Sequence, residues 1–70
     1  MVKLNYKKLA YIRGQRGLSQ KKLAELAGVS RHTVVALEAG KHVPTTITLA
    51  NICKSLDIDD PWKSGLIYEE

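Results

Sequence analysis

Only two residues, Gly28 and Val29, separate a helical stripe that ends at Ala27 from Ser30, a side chain suited to cap the next helix. Glycine enters the left-handed backbone region without steric cost, so the chain can turn there within a single residue. Two short helices joined this tightly have no room to lie antiparallel, and they must cross steeply. A steep crossing lifts the second helix off the body of the protein and leaves its outer face free to enter a major groove.

The rest of the chain carries the same helical punctuation. A first helix is predicted from a cap at Asn5 to about Gln15, with Tyr6, Leu9, Ala10 and Ile12 on one side and Gly17 as its left-handed terminator. Arg13 falls in the middle of that apolar side, where a cation is costly without a partner. The second helix opens at a Ser19 cap and runs through Ala27, with Leu23, Leu26 and Ala27 as core stripe and Lys21, Lys22 and Glu25 facing water. Ala24, a small residue, sits where a neighbouring helix passes closely. The third helix follows the Ser30 cap from Arg31 to about Ala39 and stops at Gly40. Its Val34 and Leu37 point inward and Glu38 borders that face, while His32, Val35, Ala36 and Ala39 lie opposite.

A fourth helix is predicted from Thr46 to Leu56, with Ile47, Leu49, Ile52, Cys53 and Leu56 as its stripe. Asp59 or Asp60 can cap a short fifth helix with Pro61 at its first position, limited by Gly65, and Trp62 is expected as a lid on the core. No alternating run is long enough for a strand. The fold class expected is therefore all-α, a bundle of four to five helices forming a single domain over 1–70. At 70 residues the core of such a domain is small.

Eleven Lys and Arg against seven Asp and Glu give a formal charge of +4, which favours a polyanionic partner. One cysteine forms no internal disulfide and suits a reducing compartment. Neither a membrane-length apolar run nor a secretory segment is apparent, so a cytoplasmic location is expected. Catalysis, a metal and a cofactor are not expected. His32, His42 and Cys53 stand at spacings of ten and eleven on three elements, unlike metal-ligand patterns, and Cys53 sits in an apolar stripe as an inert thiol.

Leu18-Ser19-Gln20, Leu23-Ala24, Ala27-Gly28-Val29-Ser30, Val34, Leu37-Glu38 and Gly40-Lys41, with Ile52 to Ile58 in the fourth helix, together resemble the XRE family. This is the phage repressor and Cro-like group of helix-turn-helix proteins, and the resemblance covers about residues 4 to 60. It implies a lambda-repressor-like bundle that binds double-stranded DNA as a transcriptional regulator. By the resemblance, Gln20 holds a DNA phosphate at the start of the second helix, where free N–H groups favour an anion. Arg31, His32 and Ala36 occupy the positions that read base edges, and Val35 beside Ala36 offers an apolar face to thymine methyl groups. Ser30 and Thr33 flank them and serve bases or phosphates; Lys41 and His42 lie along the backbone. The resemblance also pairs Arg13 with Glu38 in a largely buried salt bridge.

One reading head covers few base pairs, so a homodimer on a palindromic operator is expected, its half-sites ~34 Å or a multiple apart. Trp62, Leu66, Ile67 and Tyr68 are the candidate dimer contacts, with packing of that tail onto its own core as the competing expectation. The same apolar face of Val35, Ala36 and Ala39 also suits a protein-interaction module, such as an antitoxin or an anti-repressor partner. Salt dependence separates the two, because phosphate contacts weaken steeply with salt and an apolar interface does not. No small-molecule ligand is expected.

Overall fold

The computed structural model describes residues 1–70. Its elements run β1 (Val2–Leu4), α1 (Tyr6–Gln15), α2 (Gln20–Ala27), α3 (Arg31–Glu38), α4 (Thr46–Ser55) and β2 (Ile67–Glu69). Each helix starts on a polar side chain that accepts from the amide three residues on: Asn5 from Lys8, Ser19 from Lys22, Ser30 from Thr33 and Thr45 from Thr48. These caps satisfy amides that the helix itself leaves unbonded. The fold is mostly helical with four helices, at the lower end of the number expected.

All four helices also end alike. Leu18, Val29, Lys41 and Ile58 each return an amide to the carbonyl five residues back, on Arg13, Ala24, Ala36 and Cys53. The residue just before each of them, Gly17, Gly28, Gly40 or Asp57, has φ between 59° and 73°. This is the Schellman closure, in which a left-handed residue lets the chain turn back over the last carbonyls. Asp57 is the one non-glycine in that conformation.

α2 packs against both α3 and α4, and α1 packs against α3. The core joins Leu9 and Ile12 of α1, Leu23, Ala24 and Ala27 of α2, Val34 and Leu37 of α3, and Ile52, Cys53 and Leu56 at the end of α4. Two stripe residues lie elsewhere than expected, because Leu26 and Ile47 are exposed. At about 100° per residue, Leu23, Ala27 and Ala24 fill an arc of about 100° and Leu26 falls about 60° outside it; Ile47 sits nearly opposite Ile52, Cys53 and Leu56. Ala24, placed at a close helix approach, is buried.

Beyond α4 the structure departs from the sequence reading in three ways. The expected fifth helix is a series of turns over residues 61–65. Asp60 does cap, its Oδ1 accepting from the amides of Trp62 and Lys63, but Gly65 at φ 83° ends the coil after one turn. Trp62 stays half exposed and is no lid. Finally, β1 and β2 form an antiparallel pair with Val2 opposite Glu69, Lys3 opposite Tyr68 and Leu4 opposite Ile67. Flanking bonds from Asn5 N to Leu66 O and from Glu70 N to Met1 O extend the ladder. Strands of three residues are too short to show alternation, and their pairing spans nearly the whole chain. The ladder draws Leu66, fully enclosed, and Ile67 into the core. No helix is long and apolar enough to cross a membrane.

Candidate nucleic-acid interface

The turn between α2 and α3 is built as the sequence implies. Gly28 adopts φ 72°, ψ 29°, Val29 packs on the core, and Ser30 at φ −75°, ψ 156° caps α3. Ser30 Oγ accepts from Thr33 N at 3.2 Å and lies 3.0 Å from Thr33 Oγ1. Both hydroxyls are thus tied to the first turn of α3, which holds them on its outer rim.

Val34 and Leu37 anchor α3 with no exposed surface. The opposite face therefore has to turn away from the body: Arg31, His32, Val35 and Ala39 are exposed and Ala36 is half-buried. Exposed Lys21 and Lys22 stand on the preceding helix. Past α3, Gly40 lies under the Tyr6 ring, where an added Cβ would sit 2.9 Å from the ring. Lys41, His42 and Val43 then run along the surface, all exposed, before Thr45 caps α4.

The structure joins Arg13 to Glu38 through two hydrogen bonds, Nε to Oε2 at 2.6 Å and Nη2 to Oε1 at 3.0 Å. The glutamate side chain is 7% exposed and the arginine 19%. Arg13 Nη1 also donates to Leu18 O at 2.7 Å, which ties the turn ahead of Ser19 to α1. The hydrogen bonds to Glu38 raise the Arg13 guanidinium above its ordinary value, against an opposing but smaller effect of desolvation. Gln20 joins the same cluster, its Nε2 donating to Glu38 Oε1 at 3.1 Å. This contact was not read from the sequence, because nothing local links the first residue of one helix to the last of another.

Gln20, Ser30, Arg31, His32, Thr33, Val35, Ala36, Lys41 and His42 all fall on α2, its turn, α3 or the following loop. The four tail residues divide: Trp62 and Tyr68 remain partly exposed, whereas Leu66 and Ile67 are buried in the protein's own core and offer no surface to a second copy. Cys53 is buried as expected, and desolvation pushes its thiol up. No three His, Cys, Asp or Glu side chains converge in a metal-holding group.

The sequence pattern of the helix-turn-helix family matches residues 9–63. The chain is 41% identical over 51 residues to an uncharacterized HTH-type transcriptional regulator, YgzD, of Bacillus subtilis, covering 73% of this chain and 77% of that one. It is 43% identical over 65 residues to the uncharacterized HTH-type transcriptional regulator MJ0272 of Methanocaldococcus jannaschii, covering 90% and 92%. Among solved structures, the restriction-modification controller protein C.AhdI from Aeromonas hydrophila superposes with a TM-score of 0.78 at 30% identity, over 84% of this chain and 88% of that one.

Proposed function

This chain belongs to the helix-turn-helix family of DNA-binding transcriptional regulators, and from that premise we propose that it places α3 in the major groove of a specific operator. The observation that carries the reading is the outward face of α3, held away from the core by Val34 and Leu37. Arg31 and His32 supply hydrogen bonds to base edges, an Arg–guanine pair contributing ~1–3 kcal/mol of discrimination. Val35 and Ala36 lie against thymine methyl groups. Lys41 and His42 follow the backbone, and Gln20, Ser30 and Thr33 place polar hydrogens at the helix starts, where phosphates are favoured. Phosphate contacts position the protein, and the α3 face specifies the sequence.

A head of this size reads few base pairs, so two copies on a palindromic site supply the specificity, with half-sites ~34 Å or a multiple apart. Trp62 and Tyr68 are the tail residues with surface to give to such a pair. Selection from random duplexes tests the reading: a recurring two-fold site is expected, with affinity falling by orders of magnitude between about 50 and 200 mM salt. A chain that recovers no preferred duplex, or binds with no salt dependence, overturns it. That outcome would point instead to a protein partner on the Val35, Ala36 and Ala39 face.

A further inference from the structure

Gln20 is held from inside the protein. Its Nε2 donates to Glu38 Oε1, and that carboxylate is itself gripped by Arg13 through both oxygens and almost wholly buried. A carboxylate only accepts hydrogen bonds, and an amide nitrogen carries two N–H groups. Glu38 therefore obliges the Gln20 amide to turn its nitrogen inward and its carbonyl elsewhere. One N–H is used by Glu38, and the other stands at the first residue of α2. The two ends of the amide differ in sign toward a phosphate, since the N–H attracts it and the carbonyl oxygen repels it.

We propose that Glu38 is a positioning residue for the DNA backbone, fixing the rotation of the Gln20 amide so that its second N–H meets a phosphate oxygen. The inference rests on the proposed phosphate contact of Gln20. Arg13 holds the Glu38 carboxylate in place, so α1 and α3 both support a contact that α2 alone makes. Without the acceptor the amide flips and turns freely. Glutamine is among the side chains with most rotamer freedom to lose, and ordering it only on binding weakens affinity by about three- to tenfold.

An epistasis measurement tests this. Replacing Arg13 and Glu38 together by methionine removes the acceptor and its clamp, an exchange of a buried ion pair for apolar side chains that is often neutral or stabilising. Affinity for the selected duplex is measured at one salt concentration for the parent, Gln20→Ala, the Arg13→Met/Glu38→Met protein and the triple variant, with thermal melting confirming each fold. Gln20→Ala and the paired replacement should each weaken binding by about three- to tenfold, and the triple variant should bind no more weakly than Gln20→Ala. If the paired replacement costs as much affinity without Gln20 as with it, Glu38 acts only by setting the angle of α3 and the proposal falls. If the paired replacement costs no affinity while Gln20→Ala does, the positioning role alone falls. If Gln20→Ala binds like the parent, the phosphate contact falls with it.

Should the paired replacement fail to fold, nuclear magnetic resonance of the parent protein supplies the readout. The inner Nε2 proton of Gln20 should exchange with solvent more slowly than the side-chain amide protons of exposed Asn51, and added duplex should shift chiefly the outer proton. Exchange at Gln20 as fast as at Asn51 overturns the proposal.

Discussion

Replacing Glu38 by alanine removes two hydrogen bonds from Arg13 and one from Gln20. It also leaves the Arg13 side chain, about a fifth of it exposed, facing a cavity with its charge unpaired. Breaking a buried ion pair from one side costs about 3–5 kcal/mol when the remaining charge has nowhere to go. Arg13 keeps its bond to Leu18 O and some contact with water, and Gln20 can turn outward, so the lower end applies, about 3 kcal/mol. A domain of this size has roughly 0.05–0.15 kcal/mol of stability per residue, about 3.5–10 kcal/mol in all. The variant therefore loses a large share of it. Its melting temperature should fall by about 12–24 °C, at about 4–8 °C per kcal/mol.

Urea unfolding followed by circular dichroism reads the loss directly, and a double-mutant cycle with Arg13→Ala isolates the pair. A coupling of about 1.5–3 kcal/mol is expected for hydrogen bonds between charged groups. A Glu38→Ala protein within about 1 kcal/mol of the parent would refute the assignment of a buried, structural pair, because that is all an exposed ion pair contributes. The arginine itself brings no pH dependence below strong alkali. Its raised folded value means that its contribution is fully present below the ordinary guanidinium value and is lost only as pH rises through the higher one.

Asp57→Gly should stabilise by about 0.5–1 kcal/mol, because Asp57 holds a left-handed φ of 59° that glycine adopts without strain; a drop in the urea midpoint would contradict this. Gly40→Ala should cost more than about 2 kcal/mol, combining a φ of 73° with a Cβ 2.9 Å from the Tyr6 ring. In a Tyr6→Ala background only the backbone share, about 1 kcal/mol, should remain. Burial raises the Cys53 thiol, so stability is whole below the ordinary thiol value of about 8.5 and declines as pH climbs from there toward the raised value, the unfolded chain ionising first. Cys53→Ala should abolish that alkaline decline, as urea midpoints at neutral and alkaline pH would show. Lys41→Leu should leave the melting temperature within a few degrees and lower the slope of log affinity against log salt by about one, the sign of one lost phosphate contact; an unchanged slope would remove Lys41 from the interface.

The helix boundaries were legible in the sequence because what sets them is local. Asn5, Ser19 and Ser30 each reach an amide three residues away, and Gly17, Gly28 and Gly40 each supply a positive φ where the chain must turn. The outward face of α3 was legible for the same reason, since burying Val34 and Leu37 leaves Arg31, His32 and Val35 on the other side. What stayed hidden depends on residues distant in the chain. The β1–β2 pair joins Val2 to Glu69, and only that pairing moves Leu66 and Ile67 from a candidate dimer surface into the core. Leu26 and Ile47 are a different case: as apolar as their buried neighbours, they lie off the buried arc of their own helices, which the step of about 100° per residue alone gives. Asp57 takes the left-handed place that glycine marks in the other three helices, so no residue type announced it.

The helix ends also separate structure from function. At three of the four Schellman closures the residue after the left-handed position is apolar and packs on the core: Leu18, Val29 and Ile58. Such a contact commonly accompanies the motif and strengthens the stop. At the end of α3 that place is taken by Lys41, which makes the same backbone bond to Ala36 but stays exposed. A lysine gains a little from the negative end of the helix dipole, yet it gives up the apolar contact its three counterparts make. A local rule kept three times and broken once marks a position answering to something other than stability. The break falls at the end of the helix whose other face is left bare, on the loop that also carries His42. Both departures from a well-packed bundle, the unpacked face of α3 and the cation that closes it, therefore adjoin on one helix and the loop after it, which supports the proposed contact of Lys41 with a phosphate.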